Sequence, residues 1–411
     1  MNLGVNTEIA LTHIFTRKKQ TLVAAMGVTI GISLYIFSDS LIKGFTQYSR
    51  VEMFKTIPHV RVFKEDELSQ PLFAATDTHS VVLISNPKIT TLTKSIVNPY
   101  LLLDQLKQHD YVSSAAPQVN VDLFYNNGRS QVKGLGAGVN ILEADAMFNI
   151  QSTMLAGSLQ ALASNLNAII IGKGVAEKLN LDLADNLSIT SALGVRKVMK
   201  VVGIFSTGNK ATDESKSYLN IATAQQLLQV GPDYITELYL SVDDPDRSLE
   251  YAQQLQAITN YKVEDWQTSN ADTLASDRIR SVMNTSVAFA IMMVAAFGIY
   301  NILNMTITQK LNDIAILKAT GFSGKDIVRI FVLEAFIMGV LGTAMGLSAG
   351  ALLVNILSKV YVGPPIGYFP IYYRLDVFAV GAIFGMFTSL GAGYLPARKA
   401  ARVDPVEIFR K

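Results

Sequence analysis

Long apolar stretches alternate with polar sequence along this chain of 411 residues. Four of the apolar stretches contain no charged residue: Thr21–Ser38, Ser281–Thr308, Ala335–Ser358 and Val377–Ala397. A helix needs roughly 20 mostly apolar residues to cross about 30 Å of hydrocarbon. Each stretch is close to that length or longer, which favours membrane-spanning helices over helices buried in a soluble core.

The polar sequence between the first two stretches has the periods of strands and short helices. Runs rich in Val and Ile with Gly, Asn or Pro at their edges predict strands, and apolar residues at helical spacing predict short helices. The predicted strands are His59–Phe63, Ser80–Ser85, Asn167–Gly172, Lys197–Phe205 and Glu237–Val242, and the predicted helices are Gly174–Asn180, Thr223–Val230 and Ser248–Ile258. This mixture indicates an α+β domain. Lys88–Tyr100 fits neither pattern and stays unassigned.

Composition and charge agree with a membrane protein and predict its orientation. Half of the residues are hydrophobic and only 17% are charged, whereas soluble domains carry about 25% charged residues. Basic residues lie in three places: before the first stretch, between the second and third stretches, and after the fourth. They are Arg17, Lys18 and Lys19; Lys310, Lys318, Lys325 and Arg329; and Arg398, Lys399, Arg402, Arg410 and Lys411. Since basic loops stay in the cytoplasm, both termini and the loop between the second and third stretches are expected there.

The sequence therefore predicts an α-helical integral membrane protein with four transmembrane helices and a large α+β extracytoplasmic domain between the first and second. The first stretch begins too deep in the chain for a cleaved signal peptide and is expected to remain as an anchor. The predicted segments are an amphipathic cytoplasmic segment (1–20), transmembrane helix 1 (21–42), the periplasmic domain (43–279), transmembrane helix 2 (280–308), a cytoplasmic loop (309–327), transmembrane helix 3 (328–358), a short outer loop (359–375), transmembrane helix 4 (376–397) and a cytoplasmic tail (398–411).

No stretch has the residue pattern of a catalytic, cofactor or metal site. Gly172-Lys173-Gly174 lacks the Ser or Thr that follows the lysine of a phosphate-binding P-loop, and it is expected to be a turn between a strand and a helix. The glycine run Gly134–Gly138 is also expected to be a turn. The histidines lack metal-ligand spacing, and the chain has no cysteine. We therefore expect no catalytic residue and no bound cofactor.

Small residues recur every four positions in the third and fourth stretches. Such spacing lets membrane helices approach closely, so spans three and four are expected to pack on each other within one subunit, with a dimer seam as the alternative. The residues are Gly342, Gly346 and Gly350 in the third stretch, and Gly381, Gly385, Ser389 and Gly393 in the fourth. Glu334, at the start of the third stretch, is expected to pair with Arg329 or to reach lipid headgroups.

The connection "NDIAILKATGFSGKDIVRIFVLEA" (312–335) predicts two helices joined by a fixed turn. Gly321 is placed for the left-handed residue that ends a helix, and Ser323 with Asp326 fits a capping box for the next helix. Lys318 suits the C-terminal end of the first helix. A rigid helix across the ends of two spans could transmit force from a soluble partner; the alternative is a simple interfacial loop.

Several segments resemble the FtsX-like/MacB-type ABC permease family. "NDIAILKATG" resembles the family's coupling motif "E-I-A-[IL]-L-[RK]-A-x-G", with Asp313 in place of the usual glutamate. "YLPARKAARVDPVEIFR" (394–410) is similar to the family's closing motif, and "EIALTHIFTRKKQTLVAAMGVTIGISL" (8–34) to the sequence leading into its first span. "GIFSTGNKATD" (203–213) resembles a segment of the lipoprotein-releasing LolC/LolE branch.

The resemblance implies a non-catalytic permease subunit that pairs with a second permease, identical or homologous, and with two copies of a separate ABC ATPase, which binds the ATP. It implies an ATPase-coupling segment made of Asp313, Ile314, Ala315, Ile316, Leu317, Lys318, Ala319 and Gly321. Ile314 and Leu317 share one face of that segment and are expected to anchor it in a groove of the ATPase.

The implied function is ATP-driven movement of an envelope substrate on the outer side of the inner membrane, with lipoprotein release as the expected case. A lipoprotein or a periplasmic carrier is then the further partner, together with the lipid bilayer, and no nucleic acid is expected. The alternatives are a MacB-like efflux or mechanotransmission permease and an FtsX-like regulator of cell-wall hydrolases.

Overall fold

The computed structural model describes residues 3–16, 18–66, 93–363, 366–404, 406 and 408. The chain divides into two compact units. We call Met1–Ser49 with Ala275–Lys411 the membrane unit, and Arg50–Leu274 the strand unit. The chain passes from one unit to the other twice, each time within a long helix.

Helices make up most of the membrane unit, and the main sheet lies in the strand unit. The helices are α1 (Leu3–Thr16), α2 (Lys18–Phe54), α3 (Pro99–Lys107), α4 (Ile141–Phe148), α5 (Leu159–Ala163), α6 (Lys173–Leu179), α7 (Lys210–Asp213), α8 (Ile221–Leu227), α9 (Ser248–Gln256), α10 (Trp266–Ser269), α11 (Ala271–Gln309), α12 (Leu311–Ala319), α13 (Gly324–Leu357) and α14 (Leu375–Ala401). The strands are β1 (Val60–Phe63), β2 (Val112–Asn127), β3 (Ser130–Val139), β4 (Met154–Gly157), β5 (Ala168–Gly172), β6 (Asn186–Ser191), β7 (Arg196–Phe205), β8 (Lys216–Asn220), β9 (Glu237–Val242), β10 (Lys262–Asp265), β11 (Tyr361–Gly363) and β12 (Gly367–Tyr368).

Four helices of the described chain are long and apolar enough to cross a membrane: α2, α11, α13 and α14. Each contains one of the apolar stretches of the sequence. The helix α2 continues to Phe54, well beyond the predicted end of the first span at residue 42, because no proline interrupts its polar continuation. Helix α11 likewise begins at Ala271, before the predicted start of the second span at residue 280.

The core of the membrane unit forms around α2. Val28, Ile32 and Ile36 of this helix are almost fully buried, and they belong to one apolar cluster with Met292 and Ile299 of α11. Burial of each such side chain is worth about 1.5–3 kcal/mol in water, but between helices in lipid the gain comes from close packing instead. Helix α2 therefore contributes one side of the core of the bundle and packs against α11 there.

The strand unit contains a ten-stranded mixed sheet. Six of its strands close on themselves, because the pairings run from β2 to β3, β8, β5, β7, β6 and back to β2. The β3–β8 and β5–β7 pairings are parallel and the others in the ring are antiparallel. The first half of the long strand β2 pairs with β9 instead, which extends the sheet through β1 to β10.

Most predicted elements of this unit are confirmed. The predicted strands His59–Phe63, Asn167–Gly172, Lys197–Phe205 and Glu237–Val242 correspond to β1, β5, β7 and β9, and the three predicted helices correspond to α6, α8 and α9. The predicted strand Ser80–Ser85 and the first half of Lys88–Tyr100 lie outside the described residues. The rest of the unassigned segment leads into α3, and Ile96 is buried in the core.

The turn predicted for Gly134–Gly138 is wrong, because these residues form part of β3, paired with β2. The glycines are needed for packing. The ring of Tyr125 on β2 lies directly over Gly134, and the Ala224 methyl group of α8 lies over Gly138, so that neither position has room for a Cβ atom. The β2–β3 hairpin was not among the elements predicted from the sequence.

Candidate functional site

The turn between α12 and α13 is fixed by backbone hydrogen bonds. The N–H of Phe322 donates to the carbonyl of Leu317 at 3.0 Å, and the N–H of Gly321 donates to that of Lys318 at 3.2 Å. This pair of bonds is a Schellman motif, which requires a left-handed residue after the helix. Gly321 has φ +106°, as its predicted role requires.

The start of α13 is fixed by side chains. Asp326 Oδ2 accepts hydrogen bonds from the N–H of Ser323 at 3.0 Å and from its hydroxyl at 2.6 Å, and the N–H of Asp326 donates to Ser323 Oγ at 3.4 Å. The predicted capping box is therefore confirmed. A cap of this kind is worth about 1 kcal/mol. The Schellman motif and the capping box are two independent local motifs that together specify the angle between α12 and α13.

The inner face of α12 packs inside the membrane unit. Ile314 is 2% exposed and belongs to one buried cluster with Ile330 and Phe331 of α13 and Ala397 of α14. Leu317 packs at the edge of the same cluster. The prediction that Ile314 anchors an ATPase groove is therefore wrong, because the chain's own helices already cover this side chain. Leu317 is only partly buried, and its role as an anchor stays a prediction.

The opposite face of α12 is exposed. Asn312, Asp313, Ile316 and Ala319 lie on it at helical spacing, and the apolar side chain of Ile316 is 51% exposed. We call these four residues the outer face of α12. It is small, with one large apolar side chain beside a carboxylate, and it is the most exposed face of this helix.

Lys318 connects α12 with the C-terminal end of α14 by hydrogen bonds. Its ammonium group donates to the backbone carbonyls of Ala401, at 3.2 Å, and Val403, just after the last turn of α14. The expected interaction of Lys318 with the end of its own helix is thus replaced by one with the carbonyl end of a neighbouring helix, where a cation is equally favourable. A displacement of α12 would therefore act on α13 and α14 together.

Glu334 lies at the contact between α1 and α13. It is 2% exposed, and its Oε2 atom is 3.7 Å from Nδ1 of His13. The predicted pairing with Arg329 is wrong, since Arg329 faces Asp326 at 3.8 Å instead. Contact with headgroups is excluded by the burial. Glu334 therefore marks where the N-terminal helix is held against the third span.

The glycine stripe of α13 faces α2. A Cβ atom at Gly342 would lie 2.7 Å from Cβ of Val28, and one at Gly346 would lie 2.8 Å from Cβ of Ile32. A Cβ atom at Gly350 would lie 3.0 Å from Cβ of Ile36. Spans three and four do pack on each other within the subunit, as expected, but this stripe of α13 lies against the first span.

The stripe of α14 divides between two neighbours. Gly381 and Gly385 lie against Tyr35, Ile36 and Ile32 of α2. Towards the other end, Ser389 faces Gly339 and Gly393 faces Ala335, both on α13. Small residues on α13 and α14 thus let both helices close on the β-branched side chains of α2, and α14 also meets α13 as expected.

In the strand unit, one carboxylate fixes the loop that follows β7. Asp213 is buried and accepts hydrogen bonds at 2.8 Å from the Ser206 hydroxyl and from both the N–H and the hydroxyl of Thr207. The neighbouring Glu214 is held by Lys178, whose hydrogen bond lowers the pKa of that carboxyl. No role was predicted for Asp213 from the sequence, although it is the last residue of the segment "GIFSTGNKATD", which resembles the LolC/LolE branch.

Comparison with known proteins covers nearly all of the chain. Residues 21–258 match the family model of the MacB-like periplasmic core domain, and residues 285–405 match that of the FtsX-like permease C-terminal region. The lipoprotein-releasing system transmembrane protein LolC of Xylella fastidiosa is 23% identical over 95% of this chain and 93% of its own length. LolC of Neisseria meningitidis serogroup B is 26% identical over 95% and 94%.

A macrolide export ATP-binding/permease protein MacB, from a Shewanella species, is 24% identical over 98% of this chain but only 60% of its own length. The first family model covers more than half of the chain, and the FtsX-like permease C-terminal model covers most of the remainder. This chain is a multi-pass membrane protein that belongs to the FtsX-like/MacB-type family of ABC transporter permeases.

Proposed function

We propose that this permease releases lipoproteins from the outer face of the inner membrane. The observation that carries the proposal is the end-to-end alignment with LolC proteins, which covers at least 93% of both chains in the two relatives named above. Efflux is the second candidate, because the MacB relative also aligns with nearly this whole chain. In either case the strand unit lies outside the cytoplasm, and a separate ATPase supplies the energy.

The outer face of α12 is the proposed contact for that ATPase. Ile314 is buried in the chain's own core, so Ile316, with Asp313 beside it, replaces Ile314 as the expected anchor. The Schellman motif, the capping box and the Lys318 bridge make this helix rigid with respect to α13 and α14. Force applied at Ile316 would therefore reach two spans at once, in a complex with two ATPase copies and a second permease.

The test is a single substitution with a matched control. Ile316→Asp places a carboxylate on the outer face without disturbing the buried cluster, and it should abolish ATPase association. Leu193→Asp makes the same kind of change at an exposed residue of the β6–β7 turn and should leave association unchanged. Ile314→Asp, which buries an unpaired charge, should lower the amount of folded protein instead.

The variants are compared at equal membrane levels by pull-down of the co-expressed ATPase, and by ATP-dependent release of a fluorescent lipoprotein from proteoliposomes. A loss of both with Ile316→Asp, and of neither with Leu193→Asp, is the expected result. Normal association of the Ile316→Asp variant would remove α12 from the interface. Wild-type complex that transports a macrolide but releases no lipoprotein would favour the efflux candidate.

A further inference from the structure

An open groove of about 810 Å³ lies between the first turn of α13 and the last turns of α14. The two helices meet closely at its base, since a Cβ atom at Gly324 would lie 3.2 Å from the carbonyl oxygen of Ala401. Four cationic side chains line it: Lys325 and Arg329 from α13, and Arg398 and Arg402 from α14. We call it the cation groove.

The positive charge of the cation groove is poorly compensated. Among the described residues, Asp326 supplies the one carboxylate in an ion pair with these four cations, at 3.8 Å from Arg329. That carboxylate also accepts the two hydrogen bonds of the capping box. Lys399 adds a fifth cation next to Arg398 and Arg402 along a smaller adjoining groove. Such a cluster requires anions in its vicinity.

The cation groove continues into exposed apolar surface on both helices. On α14, Arg402 and Arg398 are followed at helical spacing by Tyr394, which is 50% exposed, and then by Phe387, which is 77% exposed. On α13, Lys325 and Arg329 are followed in the same way by the exposed side chains of Phe336 and Val340. Each helix thus presents cations at its end, and apolar side chains along the part expected to face lipid.

This order of groups matches one class of ligand. Arginine side chains bind phosphate groups in bidentate fashion, and basic pockets between membrane helices bind acidic lipid headgroups. A free phosphate would use only the cations, and an acidic peptide would not need the apolar face below them. We propose that the cation groove binds the headgroup phosphate of an anionic phospholipid, whose acyl chains lie along the exposed faces of α13 and α14.

The test uses the purified full-length chain in mild detergent, with bound lipid counted by native mass spectrometry. Wild type should retain phosphatidylglycerol in preference to phosphatidylcholine, and millimolar inorganic phosphate should not displace it. Arg398→Gln with Arg402→Gln should weaken phosphatidylglycerol binding about tenfold or more, since each surface cation contributes about 1 kcal/mol to the binding of acidic lipid. Arg398→Lys with Arg402→Lys should retain most of the binding.

The matched control is Lys18→Gln with Lys19→Gln, which removes the same charge at exposed residues of α2 outside the cation groove. It should leave phosphatidylglycerol binding within about twofold of wild type. Equal retention of the two lipids by wild type would overturn the proposal, and this measurement does not depend on the folding of any variant. Unchanged lipid binding in the glutamine pair, together with loss of the ATPase in pull-down, would assign the groove to a protein partner instead.

Discussion

His59 connects the end of α2 with the sheet of the strand unit. Its Nδ1 atom lies 3.0 Å from the backbone nitrogen and 3.1 Å from the carbonyl oxygen of Val242, and its ring meets that of Phe54 edge-on at 4.6 Å. Burial lowers the pKa of His59 below its usual 6.5. The folded state therefore holds the ring neutral, whereas the unfolded chain protonates it once the pH falls below about 6.5.

It follows that acidification destabilises the strand unit. Stability contributed by neutral His59 is complete above pH 6.5 and is lost as the pH falls towards the lowered pKa of the folded state. We expect the melting temperature to fall between pH 7.5 and pH 5, by about 2–4 °C for each kcal/mol lost. Trp266, the single tryptophan, is 5% exposed and packs at 5.1 Å from Phe54, so its fluorescence reports unfolding of this unit.

His59→Gln should flatten this dependence on pH, because glutamine does not titrate. His109→Gln is the matched control: its ring stacks on Tyr111, whereas that of His59 contacts Phe54 and Val242, so the dependence should persist. An equally steep loss of stability in the His59→Gln variant would assign the acid sensitivity to other groups.

Among the helices, the contact between α2 and α13 depends on the absence of side chains. Gly346→Ala would bring a methyl group to 2.8 Å from Cβ of Ile32, and overpacking of this kind costs about 1–3 kcal/mol. Gly391→Ala on α14 meets nothing within 4 Å and should be neutral or slightly stabilising, since alanine favours helices by about 1 kcal/mol. Thermal stability of the detergent-purified protein compares the two variants, and equal stabilities would contradict a tight α2–α13 contact.

How far the sequence predicts these elements depends on how local their causes are. The Gly321 turn and the Ser323–Asp326 cap involve residues at most a few positions apart, so the local sequence pattern was sufficient to predict both. The direction of Ile314 was not predictable, because a helix of nine residues has an apolar face whether a core or a partner covers it. The small-residue stripes likewise identify a packing face without identifying the helix that lies against it.

The strand β3 was missed for a related reason. Its sequence, "SQVKGLGAGV", contains three glycines, which weaken a strand in isolation. Their value arises only from distant side chains, such as Tyr125 and Ala224, that pack over them. Long hydrophobic stretches need no such partner information, which is why the four candidate spans could be located.

For the molecule as a whole, the proposed orientation can be tested with single cysteines, since the chain has none of its own. Cysteine at the exposed positions Ser130 and Asn209 should react with a membrane-impermeant maleimide in intact spheroplasts. Cysteine at the exposed Thr320 should react only after permeabilisation, because the α12 connection is expected in the cytoplasm. Labelling of Thr320→Cys in intact cells would reverse the orientation, and with it the proposed side for the ATPase.

The close contact between α2 and α13 also constrains the biosynthesis of the protein. The hydroxyl oxygen of Thr29 lies 2.8 Å from the carbonyl oxygen of Ala25 in its own helix and 3.2 Å from that of Gly342, although Thr29 and Gly342 are 313 positions apart in the chain. At about 5–20 residues per second, the ribosome needs roughly 15 to 60 s to make the intervening sequence. During that interval the first helix must reside in the bilayer with Val28 and Ile32 covered by lipid, and the glycines of the third helix displace that lipid only after the whole strand unit has been synthesised.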